Sequence, residues 1–185
     1  MLALLALAAS TLSACTPTPE PTPTPTAAFA SEEEAFAAAE EVYRAYNDAV
    51  NAQRNGDNDA DPYDYLTGKI LDSELATAQE LDAAGIRIVG ATKIVGFDGR
   101  VSSHSQSVAR VVANVCLDIT EARAVDDQGT DVTAADRSDT YTISVELTGT
   151  ADHLLISLGA PCRGACSGLK MGCGRPVDVV VSMVP

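Results

Sequence analysis

The spacing of apolar residues changes once along this chain, at Gly85, and that change restricts the folds that the chain can adopt. Upstream of Gly85, apolar side chains recur at intervals of three and four, which is the period of an amphipathic helix. Downstream, they alternate with polar side chains, which is the period of a half-buried strand. Helices followed by strands that connect through short turns predict an α+β domain, with N-terminal helices packed on an antiparallel sheet.

Three helices are expected before Gly85. Ser31-Glu32-Glu33-Glu34 is a capping-box pattern, so the first helix is predicted over residues 32–52. Asp61-Pro62 has the order of an N-cap and a first-turn proline, and predicts a short helix over 62–66. The third helix is predicted over 69–84, and four of its apolar side chains are expected to face inward: Leu71, Leu75, Ala78 and Leu81.

Four strands are expected after Gly85. The first covers residues 86–97 and ends in a hairpin turn at Asp98-Gly99. The second covers residues 105–120. The third, at 141–148, alternates so regularly that only its apolar face is expected to be buried. The fourth, at 153–158, completes the antiparallel meander.

The N-terminal segment has the features of an export signal. Residues 1–14 carry no charge, and the apolar run is too short to span a bilayer as a helix. It ends in Leu12-Ser13-Ala14-Cys15, which resembles the bacterial lipobox and implies a signal peptide cut before a diacylglycerol-bearing Cys15. No Lys or Arg precedes the apolar run, so we expect the true start codon to lie upstream. The alternative is a soluble protein in which Cys15 follows an apolar segment by chance.

A proline-rich segment follows Cys15. In residues 16–26 every second residue is Pro, which blocks helix and sheet pairing and favours extended polyproline II. At about 3.1 Å per residue, such a tether would hold a domain roughly 34 Å from a membrane. A disordered recognition tail and an O-glycosylated stalk are the alternatives.

The charge of the chain limits its partners. The chain has 12 Lys+Arg and 26 Asp+Glu, a formal net charge of −14, so a nucleic-acid partner is not expected. Residues 27–85 carry 14 acidic and 3 basic side chains, so the acidity belongs mainly to the helical half. We interpret it as a solvated helix face and loop.

The order of elements resembles the nuclear transport factor 2-like (SnoaL-like) fold, a cystatin-like roll in which N-terminal helices pack on a curved antiparallel sheet. The chain is also similar to small lipoproteins of high-GC Gram-positive bacteria. The stretches that carry this resemblance are residues 12–15, the Thr/Pro tether, residues 30–46 and residues 115–118. Enzymes of the SnoaL-like group use His, Asp or Tyr in a pocket between sheet and helices, which implies Asp118 or Tyr43 as candidates here.

Other motifs give weak signals for chemistry. Residues 57–61 have the 1-3-5 carboxylate spacing of a calcium loop, but Pro62 and Gly68 stand where that loop needs Gly and Glu. His104 and His153 have no neighbours at metal-ligand spacing, and no phosphate-binding or nucleophile-elbow motif is present. We therefore predict no catalytic, cofactor-binding or metal-binding residues and no cofactor.

Four cysteines remain once Cys15 is assigned to the lipid: Cys116, Cys162, Cys166 and Cys173. Outside the cytoplasm they permit two disulfides in three possible pairings. Cys116 lies on the polar face of its predicted strand, so we expect a bridge from Cys116 to a cysteine of a tail that crosses this face. The Cys/Gly-rich tail at 159–185 has two interpretations, a disulfide-pinned lobe ending in a strand at 177–183, or a reading-frame artefact after Leu158.

These observations divide the chain into a signal peptide (1–14), a lipidated Cys and tether (15–30), an α+β domain (31–158) and a tail (159–185). They predict a lipoprotein anchored through Cys15 on the extracytoplasmic face of the cell membrane. Its expected role is a non-catalytic binding or envelope-interaction module, with an envelope protein or a small apolar ligand as partner. The alternative is a SnoaL-like enzyme that performs acid/base chemistry on a small molecule.

Overall fold

A computed structural model describes residues 28–105 and 108–162, together with Cys166; of His104 and Ser105 it describes the backbone alone. Two α-helices pack on antiparallel sheets, which confirms the predicted α+β class. The N-terminal segment, the tether and the predicted strand at 177–183 lie outside the described residues. The elements are α1 (Glu32–Arg54), a 3₁₀ helix (Pro62–Tyr65), α2 (Gly68–Ala83), β1 (Arg87–Val89), β2 (Lys93–Ser105), β3 (Val108–Asp118), β4 (Arg123–Val125), β5 (Thr140–Thr150) and β6 (His153–Pro161).

The helix starts follow the capping signals of the sequence. Ser31 Oγ accepts a hydrogen bond from the Glu34 amide at 3.1 Å, and the Glu34 carboxylate accepts one from the Ala30 amide at 2.8 Å. This reciprocal arrangement satisfies two amides that a helix start would otherwise leave unpaired. Asp61 caps the 3₁₀ helix by accepting from the Tyr63 amide at 2.8 Å. The local residues therefore determine where both helices begin.

The main sheet has four antiparallel strands in the order β2-β3-β5-β6, and β1 pairs with β4 in a separate two-stranded sheet. The prediction of one strand over 86–97 with a hairpin turn at Asp98-Gly99 was wrong. Strand β2 runs straight through these residues, with Asp98 opposite Asn114, and an irregularity in register lies between Gly99 and Val101. Gly99 is needed for packing, because a Cβ at this position would overlap the ring of Phe36 on α1.

The two central strands are buried on both faces. Their odd-numbered apolar residues, from Val111 to Leu117 and from Ile143 to Leu147, belong to the hydrophobic core together with residues of α1 and Ile70 of α2. The prediction that β5 is buried on one face only was wrong, because Thr142, Ser144 and Glu146 are also buried. Arg110 covers part of this second face by forming an ion pair with Glu146.

The inward face of helix α2 is only partly the one predicted. Leu71 packs against the core as expected, but Leu75 is 39% exposed. The buried residues are Ile70 and Glu74, and the apolar period did not identify this face because it carries a carboxylate.

A disulfide bond joins Cys116 on β3 to Cys166, with a Cα–Cα distance of 5.6 Å. The expected bridge from Cys116 to a tail cysteine is therefore present. Cys166 Sγ also lies 3.4 Å from Thr142 Oγ1, so Cys166 lies against the second face of the sheet. Cys162 is disulfide-bonded as well. Strand β6 ends at Pro161, so the sheet extends beyond Leu158, where the sequence placed the end of the domain.

We predict that the double variant Cys116→Ser/Cys166→Ser will unfold at lower urea concentration than the wild type. The bond closes a loop with a sequence separation of 50, and loss of such a loop constraint costs about 2–4 kcal/mol of unfolding free energy. Non-reducing peptide mapping should recover the Cys116–Cys166 peptide. A free Cys116 thiol in the native protein would contradict the pairing.

Candidate functional site

A cavity with a volume of about 460 Å³ lies between α1, α2 and β1. Tyr43, Tyr46 and Arg54 line it from α1, and Glu74 lines it from α2. Apolar side chains supply much of the remaining wall: Val50, Pro62, Leu81, Ile86, Ile88 and Val89. This mixture of apolar walls and a few polar groups is typical of a site for a small organic ligand.

The cavity keeps its shape because α1 holds the connection between β1 and β2. Asn47 and Asn51 both donate side-chain hydrogen bonds to the Thr92 carbonyl, at 3.0 and 2.9 Å. Asn51 also accepts from the Thr92 amide at 2.9 Å, and Arg54 donates to the Thr92 hydroxyl at 2.9 Å. Asn47, Asn51 and Arg54 occur at spacings of four and three, so they share one face of α1. We call these three residues with Thr92 the Thr92 clamp.

A glycine next to the Thr92 clamp completes the connection. Gly90 has φ of +79°, in the left-handed region that glycine adopts without strain. A Cβ here would collide with the carbonyl of Glu121, so the backbone approaches this neighbour more closely than another residue would allow. The predicted strand 86–97 divides at this point because the chain must turn to reach the clamp.

A buried carboxylate lies among tyrosines at the inner end of the cavity. Glu74 is only 5% exposed and Tyr43 only 1%. Burial raises the pKa of Tyr43 and of Tyr46, and the negative charge of Glu74 raises both further. The pKa values of Tyr63 and Tyr141 shift upward for the same two reasons. These phenols therefore keep their protons at neutral pH and act as hydrogen-bond donors.

Arg54 provides a partly buried cation in the same cavity. Burial lowers its pKa, while the charge of Glu74 opposes that shift, and the guanidinium stays protonated at neutral pH. Within the described part of the chain, Arg54 has no salt bridge, and the hydrogen bond to Thr92 involves only its Nη1 atom. Its charge also interacts with Tyr46 and Glu74, which line the same cavity.

The structure separates the residues that the sequence had grouped as candidates. Tyr43 lines the cavity, but Asp118 does not. Asp118 lies at the end of β3, where it accepts a hydrogen bond from the Thr120 amide at 2.9 Å, and its pKa is lowered mainly by its hydrogen bonds with Thr120. His153 is exposed at the start of β6, and the side chain of His104 lies outside the described residues.

The acidic loop at 57–61 uses its carboxylates within the chain. Asp57 accepts from the Asp59 amide at 3.0 Å, and Asp61 serves as the cap of the 3₁₀ helix. Among the described residues, no group of three or more His, Cys, Asp or Glu side chains is placed to hold a metal ion. These contacts agree with the interpretation of the segment as a loop leading into a helix cap.

Sequence reasoning missed Glu74 and Arg54. A charged residue on an amphipathic helix is normally assigned to the solvent face, and here both charges face the cavity. A signal was nevertheless present. Asn47, Asn51 and Arg54 form a polar row along α1 next to its apolar stripe, and such a row indicates a helix face that contacts polar backbone.

We predict that Asn51→Ala will destabilise the protein by about 1–3 kcal/mol, because it removes two hydrogen bonds and leaves the buried Thr92 amide unpaired. Urea denaturation measures the change. Glu41→Ala, an exposed substitution on the same helix, serves as the control and should stay within about 0.5 kcal/mol of the wild type. Equal stability of the two variants would contradict the proposed role of the clamp.

We also predict a loss of stability at alkaline pH. The pKa values of Tyr43 and Tyr46 are raised above 10.0 in the folded state, whereas tyrosines of the unfolded chain ionise near pH 10. The unfolded state therefore releases protons first, and the unfolding free energy should fall as pH rises above about 10. Denaturation at a series of pH values should show a smaller decrease for Tyr46→Phe than for the wild type. An equal decrease for both proteins would contradict this assignment.

No helix among the described residues is long and apolar enough to cross a membrane. Comparison with protein-family models and with curated proteins gives no match. Among solved structures, the chain is similar to the intermembrane space region of the chloroplast protein ARC6. The identity is 17% and the TM-score 0.49, over 68% of this chain and 95% of that one.

Proposed function

We propose that the protein is a membrane-anchored extracytoplasmic lipoprotein whose domain serves as a non-catalytic binding module. The lipid on Cys15 holds it to the outer face of the cell membrane, and the Thr/Pro tether spaces the domain from the bilayer. The lipobox-like residues 12–15, followed directly by the proline-rich segment, support this anchor.

The domain has the nuclear transport factor 2-like form of a cystatin-like roll. The packing of both helices on one side of an antiparallel sheet supports this form.

The cavity is the observation that carries the binding function. Its volume of about 460 Å³ lies within the range of small-molecule sites, about 300–1,000 Å³. The Thr92 clamp fixes one side of this cavity before any ligand arrives, so binding costs little ordering entropy. A small ligand with an apolar part therefore fits this site better than an extended partner does.

A SnoaL-like enzyme is the second candidate, and the placement of Glu74 beside Tyr43 and Tyr46 favours it. Buried titratable groups that shift each other's pKa values in a cavity are common in active sites. Binding is favoured over catalysis for two reasons. Glu74 and Tyr43 are nearly inaccessible and are engaged within the protein. The tyrosines also keep their protons, so they cannot serve as general bases at neutral pH.

We predict that native cells grown with a palmitate analogue will label the wild-type protein, and that Cys15→Ala will abolish the label. The same substitution should move the protein from the membrane fraction to the soluble fraction, because the anchor is lost. Ser13→Ala keeps a small residue before the cut and should retain both label and location. An unlabelled wild type, or label that survives in Cys15→Ala, would refute the anchor.

A further inference from the structure

We propose that the cavity selects small amphiphilic anions, molecules with an apolar body and one carboxylate or phosphate group, and that Arg54 binds the anionic group. This inference rests on the proposed binding function. It adds the chemical class of the ligand and names the residue that determines it.

The position of Arg54 carries the inference. A guanidinium has five N–H donors, and the described structure commits only Nη1 of Arg54, at 2.9 Å from Thr92 Oγ1. Arg54 is a partly buried cation whose charge interacts with Glu74, yet it forms no salt bridge with a carboxylate among the described residues. Such a cation gains from a ligand that brings a negative charge. Carboxylate and phosphate groups match the planar fork of donors in two parallel hydrogen bonds.

The Thr92 clamp aligns this guanidinium in advance. Asn47 and Asn51 occupy the backbone carbonyl of Thr92, and Asn51 also accepts from its amide. The side-chain hydroxyl of Thr92, which takes no part in these backbone bonds, accepts the hydrogen bond from Arg54. Arg54 therefore gives up little side-chain freedom when a ligand binds.

The walls near Arg54 define the rest of the ligand. Val50 lies one turn before Arg54 on α1, and Leu81, Ile88 and Val89 line the same cavity. These apolar side chains favour the binding of an unbranched apolar ligand segment, because its burial against them removes apolar surface from water. A polar segment would find no hydrogen-bond partners on these side chains. Arg87, exposed at β1, and Asp82 on α2 also line the cavity with opposite charges, so Arg87 adds no net positive charge to the lining.

Glu74 restricts where an anionic group can bind. Its carboxylate repels an anion, so the proposed anionic group contacts the guanidinium of Arg54 and not the carboxylate of Glu74. The tyrosines and Glu74 are already engaged with the protein. A ligand with the opposite charge would instead meet Arg54 unfavourably.

The test is calorimetric titration of four probes with the same apolar body into the full chain carrying Cys15→Ala, which cannot be acylated. The probes are octanoate, octyl phosphate, octanol and octylammonium. Octanoate or octyl phosphate should bind at least about tenfold more tightly than octanol, as expected for a charged hydrogen bond. Whichever anion binds more tightly identifies the head group as carboxylate or phosphate. Octanol or octylammonium binding as tightly as both anions would overturn the anion specificity but leave the binding function in place.

Variants then locate the anion. Arg54→Gln, which can still donate to Thr92, should weaken anion binding about tenfold and leave octanol binding unchanged. Arg44→Gln removes the same charge from the exposed side of α1 and should leave both unchanged. Val50→Phe should weaken all probes by filling the cavity. An unaltered anion affinity in Arg54→Gln would overturn the role of Arg54. Failure of every probe to bind would overturn the ligand class and the cavity as binding site, while labelling of Cys15 would still test the anchor separately.

Discussion

The contact between α1 and Thr92 is the interaction on which the cavity depends. Strand β1 is only three residues long, and a two-stranded pair with β4 is marginal without support from its neighbours. The hydrogen bonds from Asn47, Asn51 and Arg54 supply this support at the end of β1. One helix thus performs two tasks. Its apolar stripe packs on the sheet, and its polar row holds the connection between β1 and β2, which forms one wall of the cavity.

The central strands impose the second constraint. Since β3 and β5 are buried on both faces, their even-numbered side chains need partners that lie outside the helical layer. Small hydroxyl-bearing side chains such as Thr142 and Ser144 can pair with nearby backbone and sulfur atoms at little cost. The disulfide at Cys116 lies on this face. It links β3, in the middle of the sheet, to Cys166, so this face carries a covalent attachment, whereas the other face is covered by apolar packing.

The sequence predicted the elements better than it predicted their faces. Caps at Ser31 and Asp61 and the change of period at Gly85 are local signals, and they located the helices and three of the strands closely. The Asp98-Gly99 pair led to the wrong prediction of a hairpin turn. A glycine in such a pair can be required by packing instead of by a turn. Here the ring of Phe36 requires it. Contacts between residues far apart in sequence are predicted only in part. The period of β3 placed Cys116 on the polar face and the polar row on α1 includes Asn51, but neither pattern identifies Cys166 or Thr92 as the partner.

Glu74 shows why the site was harder to predict than the fold. Hydrophobic periodicity assumes that apolar residues face the core, and a functional cavity breaks this rule because its inner surface needs polar groups.

The charges on the surface and the charges in the cavity affect a ligand over different distances. Charges on the exposed side of α1 are screened within about 8 Å at physiological ionic strength. A ligand inside the cavity responds mainly to Arg54 and Glu74, which are less screened because they are partly or fully buried. The net acidity of the domain therefore does not determine the charge that a ligand meets inside the cavity.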